Sequence, residues 1–173
     1  MMIGKYLLPV RTAFALKSNN AIRISGGYRE SQKIGVIYTY YSEKEQDLVC
    51  KLLDKLEAEG KTVKSIAFIT DFNKNEEYRF PHFCLKDVDT FGSWNKSEVE
   101  EFCKETFDYL INIDLKPNKV TENILAQSKS KCRVGRFVEG KSEFFELMID
   151  HKEENPNRFV EQIHHYLRNV RNE

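Results

Sequence analysis

Short apolar runs alternate along this chain with longer segments in which apolar residues recur every three or four positions, and that alternation predicts strands interleaved with helices. Ile34 to Tyr38 follows a Gly26-Gly27 turn and reads as a buried first strand. Ser42 caps the next helix, with Glu45 three positions on completing a capping box. Leu48, Val49, Leu52, Leu53 and Leu56 share one face of that helix, charged residues fill the other, and Gly60 ends it. Val63 to Ile69 is the second strand, so the three elements form a βαβ unit whose crossover should be right-handed. Asn95 or Ser97 opens a helix with Val99, Phe102 and Cys103 inward, and Phe107 to Ile113 is the third strand. Pro117 and Asn118 precede a helix through Ile124 and Leu125. Strands follow at Cys132 to Arg136 and Phe144 to Ile149, with a turn near Gly140 between them. Asn155 and Pro156 begin the last helix as cap and first residue, and its stripe from Phe159 to Val170 is the clearest helical signal in the chain.

The pattern predicts an α/β protein: a three-layer Rossmann-like fold with a mostly parallel sheet of about five strands and helices on both faces. Residues 71–94 have no clear period and are expected to form a long loop packed on the domain. Residues 1–32 lie outside the alternation and form a partly helical arm, in which Pro9 limits a helix within Met2 to Leu16 to starting at or near that proline. Residues 33–173 form the body, and 173 residues suit one domain of ordinary size.

Composition narrows the class. Charged residues are 31% of the chain and hydrophobic ones 40%, which is globular. No apolar run approaches the roughly 18 residues that span a bilayer, and the start lacks the apolar core of a secretion signal, so a cytoplasmic protein with no membrane partner is expected. Cys50, Cys84, Cys103 and Cys132 form no CxxC pair and read as small buried hydrophobes. His82-Phe83-Cys84 offers two metal ligands without a second pair, and His164-His165 flank the last helix, so no metal and no cofactor is expected.

Charge sums to zero but is unevenly placed. Residues 1–33 carry Lys5, Arg11, Lys17, Arg23, Arg29 and Lys33 against Glu30 alone. A second basic segment holds Lys116, Lys119, Lys129, Lys131, Arg133 and Arg136 against Glu122 alone. Lysines beside hydroxyls, as in Ser128-Lys129-Ser130-Lys131, suit phosphate contacts, although a solvated loop has the same composition.

Nucleotide-binding Rossmann folds run the first strand into a glycine-rich turn, because backbone amides must approach phosphates. Here the strand runs into Thr39-Tyr40-Tyr41-Ser42, and neither GxGxxG nor GxxxxGK[ST] occurs. A second candidate is the carboxyl edge of the sheet, where Tyr38, Thr39, Ser42, Asp71 and Asp114, with Arg133 as an outlying member, would line a ligand site. Asp71 and Asp114 each follow a strand and could do acid–base work, but polar residues also follow buried strands for no chemical reason.

Phe107 to Ile113, Arg133-Val134-Gly135, Leu147-Met148-Ile149, Phe91-Gly92 with Trp94, and the last helix together resemble an uncharacterised family of small bacterial proteins, a domain of unknown function. The resemblance implies the fold and no activity. More locally, about thirty residues are similar to the N-terminal half of heptosyltransferase-like glycosyltransferases, whose nucleotide sugar is held largely by a second domain not expected here.

The leading expectation is a non-enzymatic binding module whose two basic segments contact an anionic macromolecule, structured RNA or a ribonucleoprotein such as the ribosome. The alternatives are a small-ligand protein for a nucleotide or nucleotide sugar, or a glycosyltransferase-like remnant, using the carboxyl edge, and a homodimeric or protein-interaction domain.

Overall fold

The computed structural model describes residues 4–24 and 26–170. Six strands form one sheet, and every pairing in it is parallel: β1 (Lys33–Tyr40), β2 (Thr62–Ile69), β3 (His82–Phe83), β4 (Tyr109–Asn112), β5 (Cys132–Arg136) and β6 (Leu147–Ile149). Five helices accompany them: α1 (Leu8–Ser18), α2 (Glu43–Ala58), α3 (Ser97–Lys104), α4 (Lys119–Gln127) and α5 (Pro156–Asn169). Spatial order is β3-β2-β1-β4-β5-β6. In that order β1 lies inside the sheet between β2 and β4, and the chain winds outward from it to both edges.

Two expectations about the sheet need correction. The sixth strand is β3, inside the stretch read as a loop, where only His82 and Phe83 pair with Ala67 and Phe68 of β2. Pro81 stands next to it and two residues give no readable period, so the strand left no signal. The strand expected from Phe144 begins only at Leu147, because Ser142–Phe144 forms a 3-10 turn that seats Phe144 in the core. The 145 ring also fills the space beside β5, where a Cβ on Gly135 would stand 2.4 Å from Phe145 Cε1. The arm helix starts at Leu8, next to Pro9 where that proline was expected to set its start, after a 3-10 turn at Gly4–Tyr6, and runs to Ser18; Met2 lies outside the described residues.

Alternate residues of β1 feed two cores, as the period of a strand buried on both faces requires. Ile34, Val36, Tyr38 and Tyr40 meet α2 and α5, whereas Ile37 meets α3 and α4. Helix α4 is unusual in that Val120 through Ala126 are all buried. A helix covered all round needs cover on its outer side too, and the arm supplies it. Leu8 is buried against this core, and Asn123 Nδ2 donates to Thr12 Oγ1 at 3.0 Å. Asn19 Nδ2 donates to the Ala126 and Ser128 carbonyls, and the Arg23 guanidinium reaches those of Ser128 and Ser130. Further along, Tyr28 is buried beneath α5, and Lys61 Nζ clamps the Tyr28 and Ser31 carbonyls at 2.7 Å each. The arm thus packs on its own body.

Deleting residues 1–30 should therefore uncover α4 and cost at least about 4 kcal/mol, since buried Leu8 and Tyr28 are both lost. Thermal melting of the truncated chain checks this. A melt within about 2 °C of the full chain would mean that the arm contributes nothing to the core.

Candidate functional site

After β1 the chain builds outward through β2 to β3, then crosses back to lay β4 on the other side of β1. In open parallel sheets this switch point opens a crevice beyond the carboxyl ends of the two strands. A cavity of about 430 Å³ lies there, lined by residues of β1 and its turn (Tyr38, Thr39, Tyr41), of α2 (Glu45, Leu48) and of the segment after β4 (Ile113 to Lys116), with Glu154 and Pro156 closing it.

Asp114 is the polar centre of that cavity. Its Oδ1 accepts from the Thr39 backbone N–H at 2.7 Å, and its Oδ2 from the hydroxyls of Thr39 at 3.1 Å and Thr121 at 2.9 Å. Asn118 Nδ2 donates to Thr39 Oγ1 at 2.9 Å, fixing that hydroxyl, and Asn112 Oδ1 accepts from the Asp114 N–H at 3.0 Å. Asn118 also caps α4, so one helix start carries the shell beneath Asp114. Burial pushes the Asp114 carboxyl up to about 6, overcoming three hydrogen bonds that favour its charged form. Among the described residues no Lys, Arg or His nitrogen pairs with it.

Of the edge residues expected from sequence, Tyr38, Thr39 and Asp114 come together at this cavity. Ser42 lies beside it with its hydroxyl donating to Glu45 Oε2 at 2.6 Å and accepting from the Lys44 N–H, so the start of α2 is answered by its own side chains. Asp71 is exposed beyond β2 and does not join them. Thr121, Asn118, Tyr41 and Glu154 were not singled out from sequence. The signal available for the first two was their place in the first helical turn after an Asp that follows a strand.

The bases of the two positive segments divide sharply. Arg133 is buried and forks onto the Glu146 carboxylate at 2.7 and 3.0 Å, with the Leu125 and Glu143 carbonyls taking its other N–H groups. Arg136 is held by the His151 and Leu115 carbonyls, Lys131 by Asp108 at 2.8 Å, and Lys129 by the Asn19 and Asn20 side chains. Arg23 is pinned as above. Lys116 stands 3.7 Å from Glu154, and Lys119 is exposed at the start of α4. On the arm, Arg11 donates to the Phe91 carbonyl, Lys5 lies over the Tyr6 ring, and Lys17 and Arg29 are exposed. At the far, amino edge of the sheet His164 is buried rather than flanking, with Nε2 2.9 Å from Glu59 Oε1, while the other oxygen of that carboxylate, Oε2, accepts from the Tyr28 hydroxyl. Its burial holds the imidazole below its ordinary value. No helix among the described residues is long and apolar enough to cross a membrane.

The profile of a family of unknown function (DUF6913) matches residues 12–170. No curated protein matches the chain.

Because the folded state prefers Asp114 protonated, its ionisation opposes folding. Below about pH 4 both states hold the proton; between about 4 and 6 the unfolded chain releases it first; above 6 the full penalty applies. This residue should therefore lower stability by roughly 2–3 kcal/mol as pH rises from 4 to 6. Asp114→Asn keeps an acceptor for the Thr39 N–H and should be more stable than the parent at pH 7 by about 1–3 kcal/mol, with no difference near pH 4. Urea unfolding of both proteins across pH 4–7 measures this, and parallel curves would exclude it.

Proposed function

We propose, from the premise that this chain belongs to the DUF6913 family of unknown function, that it is a small-ligand-binding protein whose site is the cavity between β1 and β4. One observation carries the reading: at the topological switch point a carboxyl, Asp114, stands at the cavity wall held by neutral donors alone among the described residues, and burial pushes its pKa up. Groups that oppose folding and persist in a crevice are the pattern of a binding or reacting site. The cavity volume falls in the range that holds small organic molecules, and its walls mix apolar side chains with a few polar ones. A nucleotide phosphate suits it poorly, because the turn Thr39–Ser42 has no glycine and the start of α2 is already capped.

The test is a thermal-shift screen of polar metabolites against the parent and against Leu115→Trp, which fills the cavity. A compound at ten times its Kd should stabilise the parent by roughly 1.4 kcal/mol, or about 3–6 °C, and leave Leu115→Trp unmoved. Compounds that shift both proteins equally would place binding elsewhere.

A second reading, an anionic macromolecule on the arm, is favoured by a separate observation. Of the ten exposed large hydrophobic side chains among the described residues, six are on the arm: Tyr6, Leu7, Val10, Phe14, Ile22 and Ile24. No acid occurs in residues 1–29. Exposed apolar side chains interleaved with bases suit a partner that brings negative charge, structured RNA among them. Lys5, Arg11, Lys17 and Arg29 are the bases available to it, the second segment being largely committed to internal bonds. If about four phosphates are met, RNA affinity should fall roughly 50-fold between 50 and 200 mM salt. The double variant Arg11→Glu, Lys17→Glu should abolish filter binding of total cellular RNA, and salt-independent retention would count against the reading.

A further inference from the structure

We infer that the cavity between β1 and β4 takes a small organic ammonium, with its charged head on Asp114 and its apolar body along the walls; the inference rests on the small-ligand reading of that cavity. The first reason is a missing partner. Among the described residues Asp114 receives hydrogen bonds only from neutral groups, the Thr39 N–H and two hydroxyls, and no cation pairs with it. A carboxylate offers about four acceptor positions, so three donors leave one open. A carboxylate in such surroundings gains most from a group that supplies both a donor and a positive charge.

The second reason is the balance of donors and acceptors around it. Carboxylates of Asp114, Glu45 and Glu154 face one ammonium, that of Lys116, which stands 3.7 Å from Glu154 and is thereby partly answered. Phosphates and carboxylates bring acceptors only, and would meet acceptors here. At the start of α2 the Ser42 hydroxyl already accepts from the Lys44 N–H, and the Glu45 carboxylate bonded to that hydroxyl sets negative charge where an anion would come. Leu48, Ile113, Leu115 and Pro156 give the remainder of the lining its apolar character, which a bare inorganic cation could not use. An ammonium on an apolar skeleton satisfies both halves.

Three probes of one shape separate the possibilities: phenethylamine, 2-phenylethanol and phenylacetate, titrated into the full chain with amide shifts of Thr39, Tyr41 and Asp114 as readout. Phenethylamine should bind at least about tenfold more tightly than phenylacetate, the worth of one charge-assisted hydrogen bond. Asp114→Asn should weaken the amine about tenfold and leave the alcohol within about twofold. Lys116→Met removes an exposed side chain without touching the core, and should strengthen the amine about twofold and weaken the acid. Phenylacetate binding as well as the amine, or an amine indifferent to Asp114→Asn, overturns the ammonium inference while the cavity remains a ligand site. If none of the three moves those amides, the inference and the small-ligand reading fall together.

Discussion

The amide of Asn123 ties together parts of the molecule that are distant in sequence, and much else depends on it. Fully buried in α4, it donates to Thr12 of α1, and its oxygen accepts from Trp94 Nε1 at 2.8 Å and from Gln127 Nε2. A buried polar group left without partners is costly, so α4 can sit under α1 only while all three partners are present. The arm and the segment ending at Trp94 are thereby held to one helix. That helix in turn presents Asn118 and Thr121 to Thr39 and Asp114, which lie beyond the opposite end of its first turn. The cavity at the switch point inherits its geometry from a contact made on the outer side of α4.

Electrostatics divide the protein's charges into those that serve the fold and those that remain available. Buried Arg133 and partly exposed Glu146 form a bidentate pair completed by two carbonyls, an arrangement that fixes the loop after β5 against α4. Breaking such a pair from one side leaves an uncompensated charge, which makes its members poor candidates for exchange with an external partner. Asp114 is the reverse case, a carboxyl supplied, among the described residues, with neutral donors and no cation. The contrast between two half-enclosed acids, one matched and one not, is what distinguishes a structural charge from a waiting one here.

The βαβ core was legible because its signals are local. The leucines of α2, the Asn155 cap and the stripe of α5 each lie within a few residues, and each takes the form the pattern implied, whereas Ser42 caps α2 without the expected box, its hydroxyl accepting from the Lys44 N–H and donating to Glu45. What the pattern missed is non-local. The two residues of β3 pair only because β2 offers a free edge; nothing in Pro81-His82-Phe83 announces a strand. The positive segment from Lys116 to Arg136 read as surface because its partners, Glu146, Asp108, Asn19 and the Leu115 and His151 carbonyls, are scattered along the chain. Tyr38, Thr39 and Asp114 were reachable from the rule about strand ends, but the rule treats Asp71 alike; only strand order, with β4 rather than β2 across the switch, separates the two aspartates.

The cover of α4 by α1 also has a consequence in time. Helix α1 occupies residues 8–18 and the surface it needs is finished only at residue 127. A ribosome adding about 5–20 residues per second needs roughly 5–20 s to make the intervening chain. For that interval Leu8 and its apolar neighbours emerge without the surface that covers them, and a segment made before α4 finds its place only after it. Chain growth and folding thus run in opposite directions for α1, which is made before the helix it covers and settles only after it.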